Sequence, residues 1–252
     1  MASLKSIVDY SNTLLGIDQF RDYCPNGLQV EGKAEVKCLV GGVTASLALV
    51  EAAIAIHADA IIVHHGYFWK GEATVITGMK KHRLTKLLSN NISLLAYHLP
   101  LDAHPELGNN AQLAKVLGFS ITDRFGVGEG VALGCVGEIS PPLSPAAFAE
   151  HLQQRLGRSP QHIAGTRPTI ARVAWCTGAA QDYLESAAKL GVDAFISGEI
   201  SEQTVHIAHE MDIHYFAAGH HATERYGIQA LCQHLGEHFA INAQFIDIDN
   251  PV

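Results

Sequence analysis

Five side chains that could bind divalent metal ions stand out in this sequence, because histidines occur in adjacent pairs and acidic residues stand nearby. The stretch IIVHHG ends an apolar run with His64 and His65, and GHHATE places Glu224 four residues after His220. The stretch HLPLD adds Asp102. Imidazole and carboxylate groups bind zinc, manganese and iron, whereas a set without thiolates disfavours copper(I) and iron–sulfur clusters. The sequence therefore predicts a metal site made of these five residues.

The number and spacing of the five ligands indicate two neighbouring metal ions with open positions. Residues four apart on a helix share one face, with Cβ atoms about 5–6 Å apart, so His220 and Glu224 can hold one ion or reach two. A bridging ligand must present two oxygens, which only Asp102 and Glu224 can do, and we assign the bridge to Glu224. Two-metal sites serve hydrolysis, because a bound ion lowers the pKa of a water from 15.7 toward about 7.

The elements that must position these residues alternate between short apolar runs and helical patterns, which indicates an α/β fold. The second half repeats the order of the first, and we predict two similar α/β lobes, an internal pseudo-repeat with the dinuclear metal site between them. Shared α/β patterning without duplication is the alternative. The lobes are placed at residues 1–130 and 131–252, as one compact unit with a short connector around 139–165.

The candidate ligands are expected just past strand ends, where open α/β sheets gather their ligands. Adjacent side chains of an extended strand point to opposite faces, so His64 and His65 are expected in the loop after a strand at 59–63. Pro100 is expected to enforce a non-helical path between His98 and Asp102.

Composition excludes several classes of protein. The formal charge of −8 among 252 residues disfavours a protein that follows a nucleic acid backbone, which needs a basic stripe. The five cysteines form no CxxC pair, so neither a thiolate zinc site nor a disulfide framework is indicated. The N-terminus lacks the pattern of a signal peptide, and no apolar run is long enough to span a bilayer. We therefore expect a reduced, cytoplasmic protein with no membrane partner.

Several motifs together resemble the family of GTP cyclohydrolase 1 type 2 homologs, also called the Nif-three-like family, in its short bacterial form. The resemblance covers nearly the whole chain and rests on NGLQVEG (26–32), VHHGYFWKG (63–71), YHLPLDAHPELGNNAQLA (97–114), SGE (197–199) and GHHATERYG (219–227).

The resemblance implies two divalent metal ions per chain between two similar α/β lobes, with zinc, manganese, iron and magnesium all open. It implies a homohexamer built from dimers, with the sites facing an internal cavity. It also implies opening of the guanine imidazole ring of GTP with release of formate, although the stretch between the halves is shorter here than in many members. The ligands that it implies match those found from spacing: His64, His65, Asp102, His220 and Glu224.

Glu199 and His98 are the candidate catalytic residues beside the ligands. Glu199 can orient a ligand or act as a base, and His98 can support a ligand or relay a proton. The loop at residues 67–70 can stack a base and touch phosphate, or pack against a neighbouring subunit. The motif NGLQVEG is interpreted as structural, because Asn-Gly is a turn signal.

Three functions remain open. The first is a dinuclear metal-dependent hydrolase that acts on a small-molecule substrate, a nucleotide or related heterocycle. The second is a metal-binding or metal-handling regulatory protein without turnover. The third, a ring that encloses nucleic acid, is weakened by the acidic charge.

Overall fold

Strands and helices alternate along the computed structural model, which describes residues 1–128 and 131–252. Residues 1–107 form the strands β1 (Ala2–Ser3), β2 (Gly27–Val30), β3 (Glu35–Val36), β4 (Cys38–Thr44), β5 (Ala60–His65) and β6 (Ser93–Ala96), and the helices α1 (Leu4–Leu15), α2 (Leu47–Ala55), α3 (Gly78–Ser89) and α4 (Leu99–Ala103). The chain continues through α5 (Asn109–Leu117), β7 (Ser120–Gly128), β8 (Val131–Leu143), α6 (Pro145–Leu156), β9 (Gln161–Ile163), β10 (Ile170–Trp175), α7 (Leu184–Lys189), β11 (Ala194–Ser197), α8 (Glu202–Glu210), β12 (His214–Ala217), α9 (His220–Phe239) and β13 (Asn242–Phe245).

Two compact units make up the chain. The first comprises Met1–Leu107 and Ile228–Asp249, and the second comprises Gly108–Gly227 and Asn250–Val252. The first unit is discontinuous because β13 pairs in parallel with β4, which returns the C-terminal segment to the first sheet. The lobe boundary expected from the sequence lies between residues 130 and 131, and residue 130 is outside the described residues.

The first unit is a five-stranded sheet in the order β13-β4-β5-β6-β2, parallel except for the antiparallel edge strand β2. Side chains alternate across a strand, so Ile62 joins the apolar cluster that contains Ile7 of α1, and Ile61 joins the cluster that contains Leu49 of α2. Helices therefore cover both faces of this sheet, as a largely parallel sheet requires.

The second unit has a sheet of the same kind. Its order is β7-β8-β10-β11-β12-β9, in which β10, β11 and β12 are parallel and the strands β8 and β9 on either side are antiparallel. One face carries Ile196 in a cluster with Phe148 of α6, and the other carries Phe195 in a cluster with Leu184 of α7. The alternation predicted from the sequence thus gives a mixed α/β protein with apolar residues on both faces of each sheet.

A buried aspartate fixes the start of the middle parallel strand in the first unit. Asp59 precedes β5, and its carboxylate accepts hydrogen bonds from the backbone N–H groups of Lys37 (2.9 Å) and Cys38 (3.1 Å) and from the Lys33 ammonium (2.6 Å). Burial by itself raises the pKa of Asp59, but these donors outweigh it and lower the pKa below its ordinary value.

Asp193 has the same position and partners in the second unit. It precedes β11, and its carboxylate accepts from the backbone N–H groups of Ala171 (2.9 Å) and Arg172 (2.8 Å) and from the Arg167 guanidinium. Its pKa is also lowered, because the hydrogen bonds outweigh the effect of burial. The two units share this device as well as their parallel core, while the origin of the likeness by duplication stays a prediction.

In the described part of the chain, no helix has both the length and the apolar character that crossing a membrane requires.

Candidate metal centre

His64 and His65 are the last two residues of β5, so the expectation that they lie in a loop beyond the strand is wrong. The reason is pairing with β4: Thr44 stands opposite His65, and the Ala45 N–H donates to the His65 carbonyl oxygen (2.8 Å). His64 is fully buried and His65 is partly exposed. The two rings nevertheless lie near each other, with centroids 4.5 Å apart.

The Nδ1 atoms of both rings are held by neighbouring elements. His64 Nδ1 lies 2.9 Å from the carbonyl oxygen of Tyr97, and His65 Nδ1 lies 3.1 Å from the hydroxyl oxygen of Thr44. A carbonyl oxygen only accepts, so His64 carries its proton on Nδ1 and Nε2 is the basic nitrogen that a metal can bind. Outer hydrogen bonds of this kind are typical of metal-binding histidines.

Asp102 lies in the short helix α4, and the expectation of a non-helical path through Pro100 is wrong. Pro100 occupies the first turn of α4, where its missing N–H would have no helical partner in any case. The N–H groups of Leu101 and Asp102 both donate to the His98 carbonyl oxygen, at 2.8 and 3.1 Å. The turn brings Asp102 Oδ1 to 3.5 Å from His64 Nε2, and Asp102 is only 7% exposed.

His98 joins this group as a third imidazole. His64, His65 and His98 each offer a ligand atom, and these atoms lie within 4.8 Å of one another. His64, His65 and Asp102 on the first unit form a donor set that suits zinc, manganese or iron, and the ring of His98 lies beside it. The residues present therefore fit a divalent metal ion.

The second unit brings together His220, Glu224 and Glu199. The helix α9 begins at His220, and His220 Nε2 lies 3.0 Å from Glu224 Oε2. His220 Nδ1 lies 2.7 Å from Glu199 Oε1, and Glu224 is almost fully buried. Burial lowers the pKa of His220, but the two carboxylates outweigh it and raise the pKa to about 9. The two glutamates thus favour a positive charge at this position.

Gly178 follows β10 and lies against Glu224, a contact that the sequence did not reveal. Its φ is +68°, and a Cβ atom at this position would lie 2.0 Å from Glu224 Oε1 and 3.2 Å from His220 Nε2. The Gly178 N–H donates to the Thr223 hydroxyl (3.1 Å). The available signal was a glycine at the end of the apolar run RVAWCTG (172–178), but glycines at strand ends are common in α/β proteins.

The segment at residues 22–29 lies beside His64, His65 and Asp102, which we call the first ligand group. The motif NGLQVEG in this segment was interpreted as structural. Gln29 accepts from the Tyr67 N–H (2.7 Å) and donates to the Tyr67 carbonyl oxygen (3.0 Å), which fixes the chain just after His65. Tyr67 is buried, and its hydroxyl donates to the Ala45 carbonyl oxygen (2.8 Å). The ring of Trp69 stands edge-on to that of His98, with the two ring centroids 5.0 Å apart.

The two candidate catalytic residues are accessible. The side chain of Glu199 is 35% exposed and holds His220, and the side chain of His98 is 15% exposed and faces the first ligand group. Their chemical roles stay predictions.

Comparison with known proteins gives relatives that match the whole chain. The family model described as Duf34/NIF3 (NGG1p interacting factor 3) matches residues 2–251. A "GTP cyclohydrolase 1 type 2 homolog" of Pseudomonas aeruginosa is 53% identical over 249 residues, covering 99% of this chain and 98% of the relative. A protein of the same name from Escherichia coli (strain K12) is 54% identical over 241 residues, covering 95% and 96%.

Solved structures of similar proteins also match this chain over its whole length. One described as "protein ybgI, unknown function" is 50% identical, with a TM-score of 0.96 and full coverage of both chains. The protein TTHA1606 from Thermus thermophilus is 34% identical, with a TM-score of 0.87 over 100% of this chain and 99% of that one. The chain therefore belongs to the Duf34/NIF3 family.

Proposed function

We propose that this protein is a divalent-metal-dependent hydrolase that acts on a nucleotide or a related heterocycle, with GTP ring opening as the first reaction to test. The observation that carries the proposal is the buried pairing of His64 with Asp102, beside two further imidazoles on the same unit. The name shared by the curated relatives supports GTP as the first substrate to try.

The metal ligands in this proposal come from both units. His64, His65 and Asp102 form one set, His220 and Glu224 form the other, and the two sets serve a single dinuclear centre. Each set combines imidazole with carboxylate, and neither alone has enough ligands for two ions. A bound divalent ion supplies Lewis acidity and lowers the pKa of a water that it binds.

Two residues of the chain act beside the ligands. Glu199 accepts a hydrogen bond from His220 Nδ1 and so orients Nε2 of that ring. His98 presents its ring at the edge of the first set, where it can hydrogen-bond a substrate or a water molecule.

The proposal is tested with chelator-stripped protein reloaded separately with zinc, manganese, iron(II) and magnesium. Each form is incubated with GTP, other nucleotides and small cyclic amides, and formate release and product masses are measured. We expect turnover with at least one metal, its loss in Asp102→Ala, and its retention in Asp18→Ala, a control at an exposed acid. Full metal loading without turnover of any of these substrates would contradict the hydrolase and favour the metal-handling alternative.

A further inference from the structure

Asp22 is a buried carboxylate beside the first ligand group, and the proposed function does not use it. Its side chain is 3% exposed. Oδ1 lies 2.7 Å from His98 Nδ1 and accepts from the Tyr23 N–H (2.6 Å), and Oδ2 accepts from the Leu99 N–H (2.9 Å) and from the Asn26 amide (2.9 Å). Asn26 in turn accepts from the His98 backbone N–H (2.8 Å). The loop at residues 22–26 therefore holds both the backbone and the ring of His98.

These contacts determine which nitrogen of His98 carries a proton. An ionised carboxylate only accepts hydrogen bonds, so a neutral His98 ring must donate from Nδ1 and keep a lone pair on Nε2. Burial by itself raises the pKa of Asp22, but the hydrogen bonds from His98, Asn26 and the Tyr23 N–H lower it below its ordinary value. The acceptor is thus the charged form of Asp22.

The surroundings of His98 show where that lone pair is useful. The His98 ring centroid lies 5.0 Å from that of His64 and 5.8 Å from that of His65. On another side the ring meets the edge of Trp69, which is itself fixed by a hydrogen bond from Nε1 to the Gly66 carbonyl oxygen (3.1 Å). The ring is therefore held beside the candidate ligands while its side chain stays partly accessible.

We propose that Asp22, supported by Asn26, fixes the tautomer of His98 so that Nε2 accepts a hydrogen bond from a substrate N–H or a water molecule beside His64 and His65. Asp22 is then a positioning residue, and His98 is the group that touches the substrate. The proposal rests on the hydrolase function above, and it names an N–H-bearing heterocycle as the substrate class that this acceptor fits.

Asp22→Ala tests the tautomer directly. It removes the oxygen that accepts from His98 Nδ1, so the ring is no longer held in the Nδ1–H form and its proton can move to Nε2. Long-range ¹H–¹⁵N NMR of the full chain with ¹⁵N-labelled histidine, loaded with zinc, reports the tautomer, and His98→Gln identifies the signals.

We expect an Nδ1–H tautomer in the wild type and in the control Asp18→Ala, and the appearance of the Nε2–H tautomer in Asp22→Ala. An Nδ1–H form alone in both the wild type and Asp22→Ala would overturn the proposal, as would a doubly protonated ring in the wild type. If Asp22→Ala does not fold, Asn26→Ser gives the answer: it keeps the carboxylate, so the Nδ1–H form must persist, and an Nε2–H form there would contradict the assignment.

Metal content and rate separate this proposal from the function that it extends. Asp22→Ala should hold as much zinc as the wild type, because His98 is not assigned as a ligand. A loss of zinc would make His98 a ligand and overturn the proposal. With GTP as the probe, we expect kcat to fall about 10- to 100-fold with little change in KM. Absence of GTP turnover in the wild type would count against GTP as the substrate, while the tautomer result would stand by itself.

Discussion

Three imidazoles among the candidate ligands are each held at Nδ1 by a different kind of group. His64 meets a backbone carbonyl oxygen, His65 a threonine hydroxyl and His220 a glutamate carboxylate. Such outer contacts set the orientation of a ring before any metal binds, which removes part of the entropic cost of ordering ligands. The chain therefore supplies preformed ligand sets on both units.

Gly178 offers a sharp test of the second set. Gly178→Ala should weaken metal binding about 10- to 100-fold, because its Cβ atom would displace the Glu224 carboxylate. Gly157 is the matched control: its φ is +76° and no atom lies within 4 Å of the Cβ that alanine would add. Both variants carry a backbone strain of about 1–2 kcal/mol.

Calorimetric metal titration with parallel thermal unfolding distinguishes a loss of metal affinity from a loss of stability. Both variants should lose stability, but only Gly178→Ala should lose metal affinity. Equal affinities in the two variants would mean that Gly178 does not position Glu224.

Glu224 is assigned as the bridge, and Glu199 as the residue that orients His220. Glu224→Gln keeps the size of the side chain but removes the charge that offsets two neighbouring cations, so one metal should remain and the second should bind far more weakly. Glu199→Gln should keep both metals and lose only rate. Metal titration by calorimetry checks both variants. Two metals bound to Glu224→Gln at wild-type affinity would move the bridge to Asp102.

At the scale of elements, sequence patterns predicted the features that depend on neighbouring residues and missed a strand end that depends on pairing with a distant segment. The four-residue spacing of His220 and Glu224 was interpreted as one face of a helix, and both residues lie in α9. The end of β5 was misplaced because it depends on pairing with Thr44, which lies in another strand. Pro100 was misread because proline is disfavoured inside a helix but favoured in its first turn.

The aspartates before β5 and β11 should stabilise their sheets through charged hydrogen bonds. Asp59→Asn should lower the free energy of unfolding by about 1–3 kcal/mol at pH 7, since hydrogen bonds to a charged group contribute more than neutral ones. Asp193→Asn should act similarly, because the partners are equivalent. Asp9→Asn, in an exposed pair with Lys5, should change stability by less than about 1 kcal/mol.

The contribution of Asp59 to the free energy of unfolding depends on pH with a defined sign. The folded-state pKa of Asp59 is lowered, so its contribution is complete above the unfolded-state pKa of about 3.9 and is lost as the pH falls through the lower folded-state value. Urea unfolding at pH 7 and at pH 3 should therefore show the Asp59→Asn penalty shrinking in acid. A penalty that is constant with pH would contradict a role for the ionised carboxylate.

For the whole molecule, the α/β class could be predicted, while the extent of the units could not. The candidate ligands were chosen from residue type and spacing, and their metal binding stays a prediction. Short apolar runs and helical periodicity report burial along one segment, so they indicate the kind of element and not its partner in a sheet. Strand β13, with the sequence NAQF, belongs to the first sheet through its parallel pairing with β4 some 200 residues away. Pairing over such distances is not encoded in a local pattern.

We propose that the chain assembles as a homohexamer built from dimers, as the sequence resemblance implied. Light scattering should give six chains of 27.1 kDa, about 160 kDa in total, consistent with closed symmetry. A stable species of one chain at micromolar concentration would contradict this assembly.

Metal content is the most direct test of the central claim, that His64, His65, Asp102, His220 and Glu224 together hold two divalent ions. Elemental analysis of gently purified protein should give about two equivalents per chain. The content should fall sharply in His64→Ala and in Asp102→Ala, and it should be unchanged in His82→Ala, a control at an exposed histidine of α3. Undiminished metal in both ligand variants would contradict the account.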